Sequence, residues 1–423
     1  MTSKVLESLS KLCRVAVAIL CVPMALMAQS QPYTHFKVIH TFHNNDGNTP
    51  QFELIMDNNG NLYGTTSLGG DLSCFSGYGC GTVFKISKSG QTTVLHNFEM
   101  SDGLYPQHGH LVRDAAGNFY GTTNYGGDLN CSSYGCGVAF KLDSSGKETV
   151  LYEFTGTNGD GTYPGFNSFI LEKNGDLYGT TYGGGQFNCG TVFKIDAAGT
   201  ETVLYAFKGT NGDGCGGEGL TQGADGYLYG LTLYGGISCP EAPNNGCGTV
   251  FQIDKSGTEK VLHAFSGTAS KHDGANPIGG VILDSKGNLY GTTDFGGLGV
   301  GALGTVFMVT KAGTEKVLYR FDGVHGGMPT SPLVRDKSGN LYGTANAGGA
   351  YGYGVVFKLT PAGKETVLHS FTGADDENRE PSGLLLDSSG HLYGVTATGG
   401  DPSCTSPIWG PGPGCGLVFE ITQ

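Results

Sequence analysis

Apolar and polar residues alternate in short runs along this chain, and glycine cuts each run from the next. Residues 164–207 read PGFNSFILEKNGDLYGTTYGGGQFNCGTVFKIDAAGTETVLYAF, and four runs stand out: Ser168–Leu171, Asp176–Thr181, Gly190–Ile195 and Glu201–Phe207. Their Val, Ile, Phe, Tyr and Thr content suits β-strands, and the breaks carry Gly. No stretch sustains a helical period between caps, so helix is expected to be nearly absent. The first two runs are joined by turns such as Asp57-Asn-Asn-Gly60 and Asp284-Ser-Lys-Gly287, and the last two by turns such as Asp196-Ala-Ala-Gly199. Asp can hold the backbone two residues on and Gly can turn left-handed, so these acids read as turn formers and the glycines as turn residues.

The unit repeats. Leu-Tyr-Gly-Thr-Thr or a close variant carries Tyr63, Tyr120, Tyr178, Tyr229, Tyr290, Tyr342 and Tyr393, at gaps of 57, 58, 51, 61, 52 and 51 residues. Four antiparallel strands repeated seven times predict an all-β, seven-bladed β-propeller. The ends support closure. The chain enters with a lone fourth-type strand, Lys37–Phe42, and leaves after a third-type strand, Gly416–Thr422, so the N-terminal strand should complete the last blade. A capped β-solenoid is the competing fold, but it would not need that permutation.

The pattern GNLYGTT–GG–GCGTVFKI–SG–TVLHNF, seen at residues 60–98, resembles the GloVer tandem repeats of exported bacterial proteins. The resemblance covers essentially the whole chain after the leader. It implies export and a propeller-like fold, and brings no catalytic residues to carry over. Gln423 directly follows the last strand, with no anchor segment, so release is expected rather than surface attachment.

Residues 1–28 read as a secretory signal, with Lys4, Lys11 and Arg14 ahead of the apolar run Val15–Ala28, leaving 29–423 as one propeller domain. That run is too short to span a membrane, and no second long apolar run follows. The net charge of −13 becomes about −15 without the signal, which itself carries +2 from Lys4, Lys11, Arg14 and Glu7. This balance argues against nucleic acid and anionic membrane surfaces as partners. A monomer in the periplasm or outside the cell is expected.

Ten cysteines remain after the signal is set aside, an even number in an exported chain. Cys74 with Cys80, Cys131 with Cys136, Cys239 with Cys247 and Cys404 with Cys415 each fall between the Gly-Gly after the tyrosine motif and the next strand. Cys189 sits at the later position of such a pair without its partner, and Cys215 is left over in the next loop; these two should pair. Metal binding by Cys pairs is the rival, but no His clusters with them.

If the closing strand is outermost, the first strand of each blade lines the axis. The loops between second and third strands and those between blades then share one face. Disulfides would stiffen that face, so a ligand is expected there. Features in every blade read as structural. These include the His or Tyr of the fourth strand (His40, His96, Tyr152, Tyr205, His263, Tyr319, His369) and the Asp-Gly of the inter-blade loop (Asp46, Asp102, Asp160, Asp213, Asp273). No cofactor is expected. Calcium at those Asp-Gly loops is the one metal left open, and their spacing does not match an EF-hand.

Function should lie where a blade breaks the pattern. His108 and His110 in blade 2, Glu218 in blade 4 and His325 in blade 6 are the candidate acid–base residues, should the chain be a polysaccharide lyase or hydrolase. His272, Tyr351, Arg379, Glu380 and the single Trp409 are candidate ligand contacts, Trp409 as a stacking platform. Gly-x-Ser-x-Gly, His-Glu-x-x-His and phosphate-loop motifs are missing. The favoured reading is a secreted, non-catalytic propeller that binds a glycan or an extracellular protein. The alternative is an extracellular polysaccharide-active enzyme with its site over the channel.

Overall fold

The computed structural model describes residues 35–422, apart from segments 107–110, 166–168, 210–211, 241–244, 268–271, 298–302, 374–380 and 405–413. Seven antiparallel sheets follow one another in chain order. Blade 1 comprises a broken first strand (Asn48–Pro50 and Ile55–Met56), Leu62–Leu68, Thr82–Ile86 and Thr92–Asn97. The second strands of blades 2 to 7 are Phe119–Thr123, Leu177–Gly184, Leu228–Tyr234, Leu289–Phe295, Leu341–Ala345 and Leu392–Thr396. The ring closes as the sequence predicts: His35–Thr41 pairs antiparallel with Leu417–Thr422 as the outer strand of blade 7. Among the described residues the helical element is one short turn, Phe75–Gly77.

The expected first strand of blade 3, Ser168–Leu171, is only partly matched. Its described pieces are Gly161–Pro164 and Ile170–Leu171. Pairing begins before the proline. Backbone alternation in the sequence does not reveal this, because the residue just ahead of the proline is left-handed (Tyr163, φ 56°) and the strand kinks there.

Blades pack through one repeated contact. The Phe that ends each fourth strand meets the Phe of the next blade's third strand edge-on. Phe42–Phe84, Phe154–Phe193, Phe265–Phe307 and Phe371–Phe419 have ring centroids 4.9, 5.0, 5.0 and 5.6 Å apart, and the other three boundaries repeat the geometry. Such edge contacts add about 0.5–1.5 kcal/mol beyond burial. Phe42 belongs to the N-terminal segment and Phe84 to blade 1, so the closing boundary is packed like the rest.

The glycine of Leu-Tyr-Gly corrects the reading of glycine as turn former only. A Cβ on Gly64, Gly121 or Gly179 would stand 2.7 Å from the Cζ of Phe84, Phe140 or Phe193. Gly is there so that the third-strand ring can lie flat on its neighbour strand. The tyrosine beside it is tied to the first turn: the Tyr63, Tyr229 and Tyr342 hydroxyls donate to Asp57, Asp225 and Asp336 at 3.0, 2.7 and 3.1 Å.

Candidate functional site

Chain direction decides which loops share a face. Because strands alternate, the loops from second to third strand and the loops between blades emerge together, and the opposite face has only tight turns. All five expected disulfides form, and each holds this long-loop face: Cys74–Cys80, Cys131–Cys136, Cys189–Cys215, Cys239–Cys247 and Cys404–Cys415.

One cysteine of each pair, the one just ahead of the third strand, has a second task. Its carbonyl accepts the N–H of the residue that opens the next blade's first strand: Tyr105 N to Cys80 O at 3.2 Å, Tyr163 to Cys136 at 2.9 Å, Gly216 to Cys189 at 2.8 Å, Asn276 to Cys247 at 2.9 Å and Thr49 to Cys415 at 2.9 Å. Blade 5 has no disulfide, and Leu303 O takes the N–H of Met328 at 2.8 Å. The glycine after the cysteine makes room for the following proline; a Cβ on Gly81 would lie 2.6 Å from Pro106 Cδ. Thr49, Tyr105, Tyr163, Asn276 and Met328 are all left-handed, with φ between 54° and 58°. Non-glycine residues persist in that conformation only where the surroundings over-determine it. One backbone geometry thus presents a different side chain from blade to blade at the inner edge of this face. Sequence reasoning missed this set; its signal is the residue before the proline that opens five of the repeats, at Pro50, Pro106, Pro164, Pro277 and Pro329.

Aromatic rings gather over blades 1 to 3 of the same face. Phe75 touches Tyr105 and Tyr134 (centroids 5.5 and 5.7 Å), Tyr125 touches Tyr163 (5.2 Å), and Tyr105 and Tyr125 meet edge-on at 5.9 Å. Tyr78 and Tyr134 stay 41% and 51% exposed at the edge of this cluster, whereas Tyr105 is buried. Every exposed large apolar side chain among the described residues lies on this face. Leu72 and Tyr78, Leu129 and Tyr134, Phe187, Ile237, Phe295 and Tyr351 sit at second-to-third loops of blades 1 to 6, and Val324 sits between blades 5 and 6.

The candidate residues occupy separate elements. Glu218 is fully buried in the first strand of blade 4. Burial, with Tyr234 and the charge of Glu218, lifts the nearby Tyr182 hydroxyl to about 12. His325 pairs with Asp322 at 2.8 Å in the loop after blade 5 and is half exposed. His272, left-handed at φ 53°, offers its carbonyl to Arg320 Nε at 3.2 Å. Tyr351 is 60% exposed. His108, His110, Arg379, Glu380 and Trp409 lie outside the described residues.

The repeated His or Tyr of the fourth strand finds the Asp of the loop that follows. His40, His96 and His263 reach Asp46, Asp102 and Asp273 at 3.1 Å, and the Tyr205 hydroxyl donates to Asp213 at 2.9 Å. The same carboxylates cap the loop backbone, as Asp46 does for His43 N at 2.8 Å. Two sequence features read separately are one latch. At one boundary the ligand atoms of His263, Asp273 and Glu315 lie within 4.8 Å of one another, the one such trio with the makings of a metal site among the described residues.

Among the described residues, two cavities stand out. One of about 300 Å³ lies on the axis, toward the tight-turn side, lined by Glu53, Phe169, Leu220 and Val281 among others. Another of about 580 Å³ opens at the closing boundary, beside Lys37, Lys88, Asp387, His391, Tyr393 and Glu420. There Glu420 stands where four of the other third strands have lysine, and it accepts the Tyr393 hydroxyl at 3.0 Å.

A family description, the Gloeobacter/Verrucomicrobia repeat, matches residues 72–272 and 167–406. The chain belongs to the Gloeobacter/Verrucomicrobia repeat family. Curated proteins yield no match. Among solved structures, the extracellular domain of a protein assigned as a hybrid two component system from B. thetaiotaomicron is 14% identical, with a TM-score of 0.54 over 91% of this chain and 40% of that one. A luciferin-regenerating enzyme is 11% identical, with a TM-score of 0.44 over 92% and 95%. A calcium-binding regucalcin from Agrobacterium tumefaciens is 16% identical, with a TM-score of 0.43 over 74% and 89%. At these identities the likeness is one of fold alone. For this repeat family, five disulfides fit an oxidising compartment. Among the described residues no helix is long and apolar enough to cross a membrane.

Proposed function

We propose that this protein is an exported, non-catalytic binding propeller whose long-loop face takes a neutral glycan. The observation that carries the reading is the confinement of every described exposed large apolar side chain to that one face. Exposed apolar surface gathered on one side marks a contact surface. Sugar is favoured over protein by the kind of side chain. Tyr78 and Tyr134 offer flat rings with a hydroxyl edge, and neighbouring rings hold Tyr134 in place. A pre-ordered aromatic platform loses little freedom when a pyranose ring stacks on it. Asp71, Asp128 and Asp401 on the same loops disfavour uronate-bearing chains.

An array of neutral and uronate-bearing polysaccharides tests the reading, with binding and product release followed on the same samples. Binding to neutral chains that drops at least tenfold in Tyr134→Ala is the expected result. Binding confined to uronate chains, or unchanged by Tyr134→Ala and Tyr78→Ala, would overturn it. Product release that disappears in His325→Ala or Glu218→Gln would put the catalytic alternative in its place.

A further inference from the structure

From blade 2 to blade 5 the turn between third and fourth strands lies on the fourth strand of the blade before. A Cβ on Gly146, Gly199 or Gly257 of these turns would stand 2.9, 3.0 or 2.4 Å from the carbonyl oxygen of Leu95, Leu151 or Leu204. Across this contact the loop aspartate of the preceding blade acts by its charge on the glutamate that opens the fourth strand, Asp160 on Glu201 and Asp213 on Glu259.

Between blades 2 and 3, Glu201 Oε1 and Asp160 Oδ1 are both buried, and neither has a hydrogen-bond partner among the described residues. Glu259 Oε1 and Asp213 Oδ1 are likewise buried between blades 3 and 4, where the Tyr205 hydroxyl that donates to Asp213 also reaches the Glu259 carboxyl. The other oxygen of each aspartate is engaged. Asp160 Oδ2 accepts from Thr155 N and Oγ1 at 2.7 and 2.8 Å, and Asp213 Oδ2 from the Tyr205 hydroxyl and Lys208 N at 2.9 and 3.0 Å. Two carboxylates brought together out of water cannot both stay charged without a counter-ion. Asp160 and Tyr152 face Glu201. Asp213, Tyr205 and Lys208 face Glu259, so one cation stands near the second pair and none is described beside the first.

We propose that Glu201 and Glu259 are held protonated opposite the aspartate across the blade boundary, so that protons staple the ring in mildly acidic medium and their loss loosens it. A proton on each glutamate removes the repulsion between two buried carboxylates whose free oxygens face no cation beside the first pair. Burial, followed by the charge of the facing aspartate, lifts both glutamates to about 7. A carboxyl raised in the folded state contributes stability that is present below its unfolded value of 4.5 and lost as pH rises through about 7. Burial, followed by the charge of Asp102, lifts Glu148 to about 7 in the same way at the boundary where the latch residue is His96. Tyr152 and Tyr205 stand at that place beside Glu201 and Glu259.

The test uses the full chain and the double variant Glu201→Gln/Glu259→Gln, whose amides keep the shape and donate without a charge. Melting temperatures would be followed from pH 5 to pH 8 in EDTA and again with calcium chloride. The wild type should lose on the order of 5 °C across this interval. The variant should lose clearly less and melt above the wild type at pH 8. Parallel slopes for the two proteins would overturn the proposal. So would a variant that melts lower at every pH while calcium stabilises the wild type, because a cation would then occupy the carboxylate pair. Infrared spectroscopy reads the wild type directly, without relying on the variant's folding. A protonated-carboxyl stretch present at pH 5 and gone at pH 8 is expected, and its absence at pH 5 refutes the staple.

Discussion

Gly179→Ala gives a sharp test of how the repeat motif works. In an ordinary strand the change would help, since alanine loses less backbone freedom on folding, worth about 0.5–1 kcal/mol. Here the added Cβ would sit 2.7, 3.1 and 3.4 Å from the Cζ, Cε1 and Cε2 of Phe193, and those are its three nearest atoms. Phe193 cannot retreat freely. It is fully buried, with Phe154 against it at 5.0 Å and Phe169 at 6.0 Å. To reach normal contact the ring must move by roughly 1 Å, and overpacking of this kind costs about 1–3 kcal/mol. The net effect should be destabilising by about 1–2 kcal/mol once the strand preference is subtracted. Phe193→Leu removes the clashing atoms at about 1–2 kcal/mol of its own. In the double variant the alanine should then cost nothing, giving a coupling of about 1 kcal/mol or more. Guanidinium unfolding of the four proteins, compared at unchanged slope, reads the cycle. A neutral or stabilising Gly179→Ala, or strictly additive effects, would refute the account of that glycine.

Further outcomes follow from other parts of the ring. The Cys189–Cys215 bridge closes 26 residues and Cys131–Cys136 only 5, so replacing the first pair by serine should cost about 3.5 kcal/mol and the second about 2; equal losses in calorimetry would count against chain entropy as the cause. Phe42→Ala should cost about 3–5 kcal/mol and speed hydrogen exchange in Leu417–Thr422 first, because it unfastens the closing strand. Burial alone would raise the Asp57 carboxyl, but hydrogen bonds from Asn61, Tyr63 and Asn59 hold it down at about 2. Asp114, Asp284 and Asp336 are lowered in the same way. These depressed acids contribute stability above their unfolded value of 3.8 and lose it as pH falls toward 2, so melting temperature should drop steeply on that side. A flat acid limb would contradict the turn network.

Much of this molecule was legible from one repeat. Strand-length runs, Asp-x-x-Gly turns and the seven tyrosines specified seven four-stranded blades, and the stray first and last strands specified how they close. The cysteines could be paired because each pair shares one loop of a local unit. These are short-range facts: turn chemistry and alternation act over a few residues, and repetition carries the answer round the ring.

What the chain alone could not settle lies between blades. The sequence reading treated the fourth-strand His or Tyr and the loop Asp as two structural features, yet His263 and Asp273 are one latch. It took glycine for turns, although Gly179 exists for a ring on the neighbouring strand. It passed over Tyr105, Tyr125 and Tyr163, whose rings meet only when blades 1 to 3 stand side by side. The left-handed residues before Pro50, Pro106, Pro164, Pro277 and Pro329 also went unread, because only the preceding blade's carbonyl makes that conformation tolerable. Local pattern therefore determined the blade and the number of blades, since each depends on hydrogen bonds within reach of a single turn. The face that could bind, and the carboxyl pairs at the boundaries, were decided by packing between units, where the partner lies in another blade and no spacing along the chain records the contact.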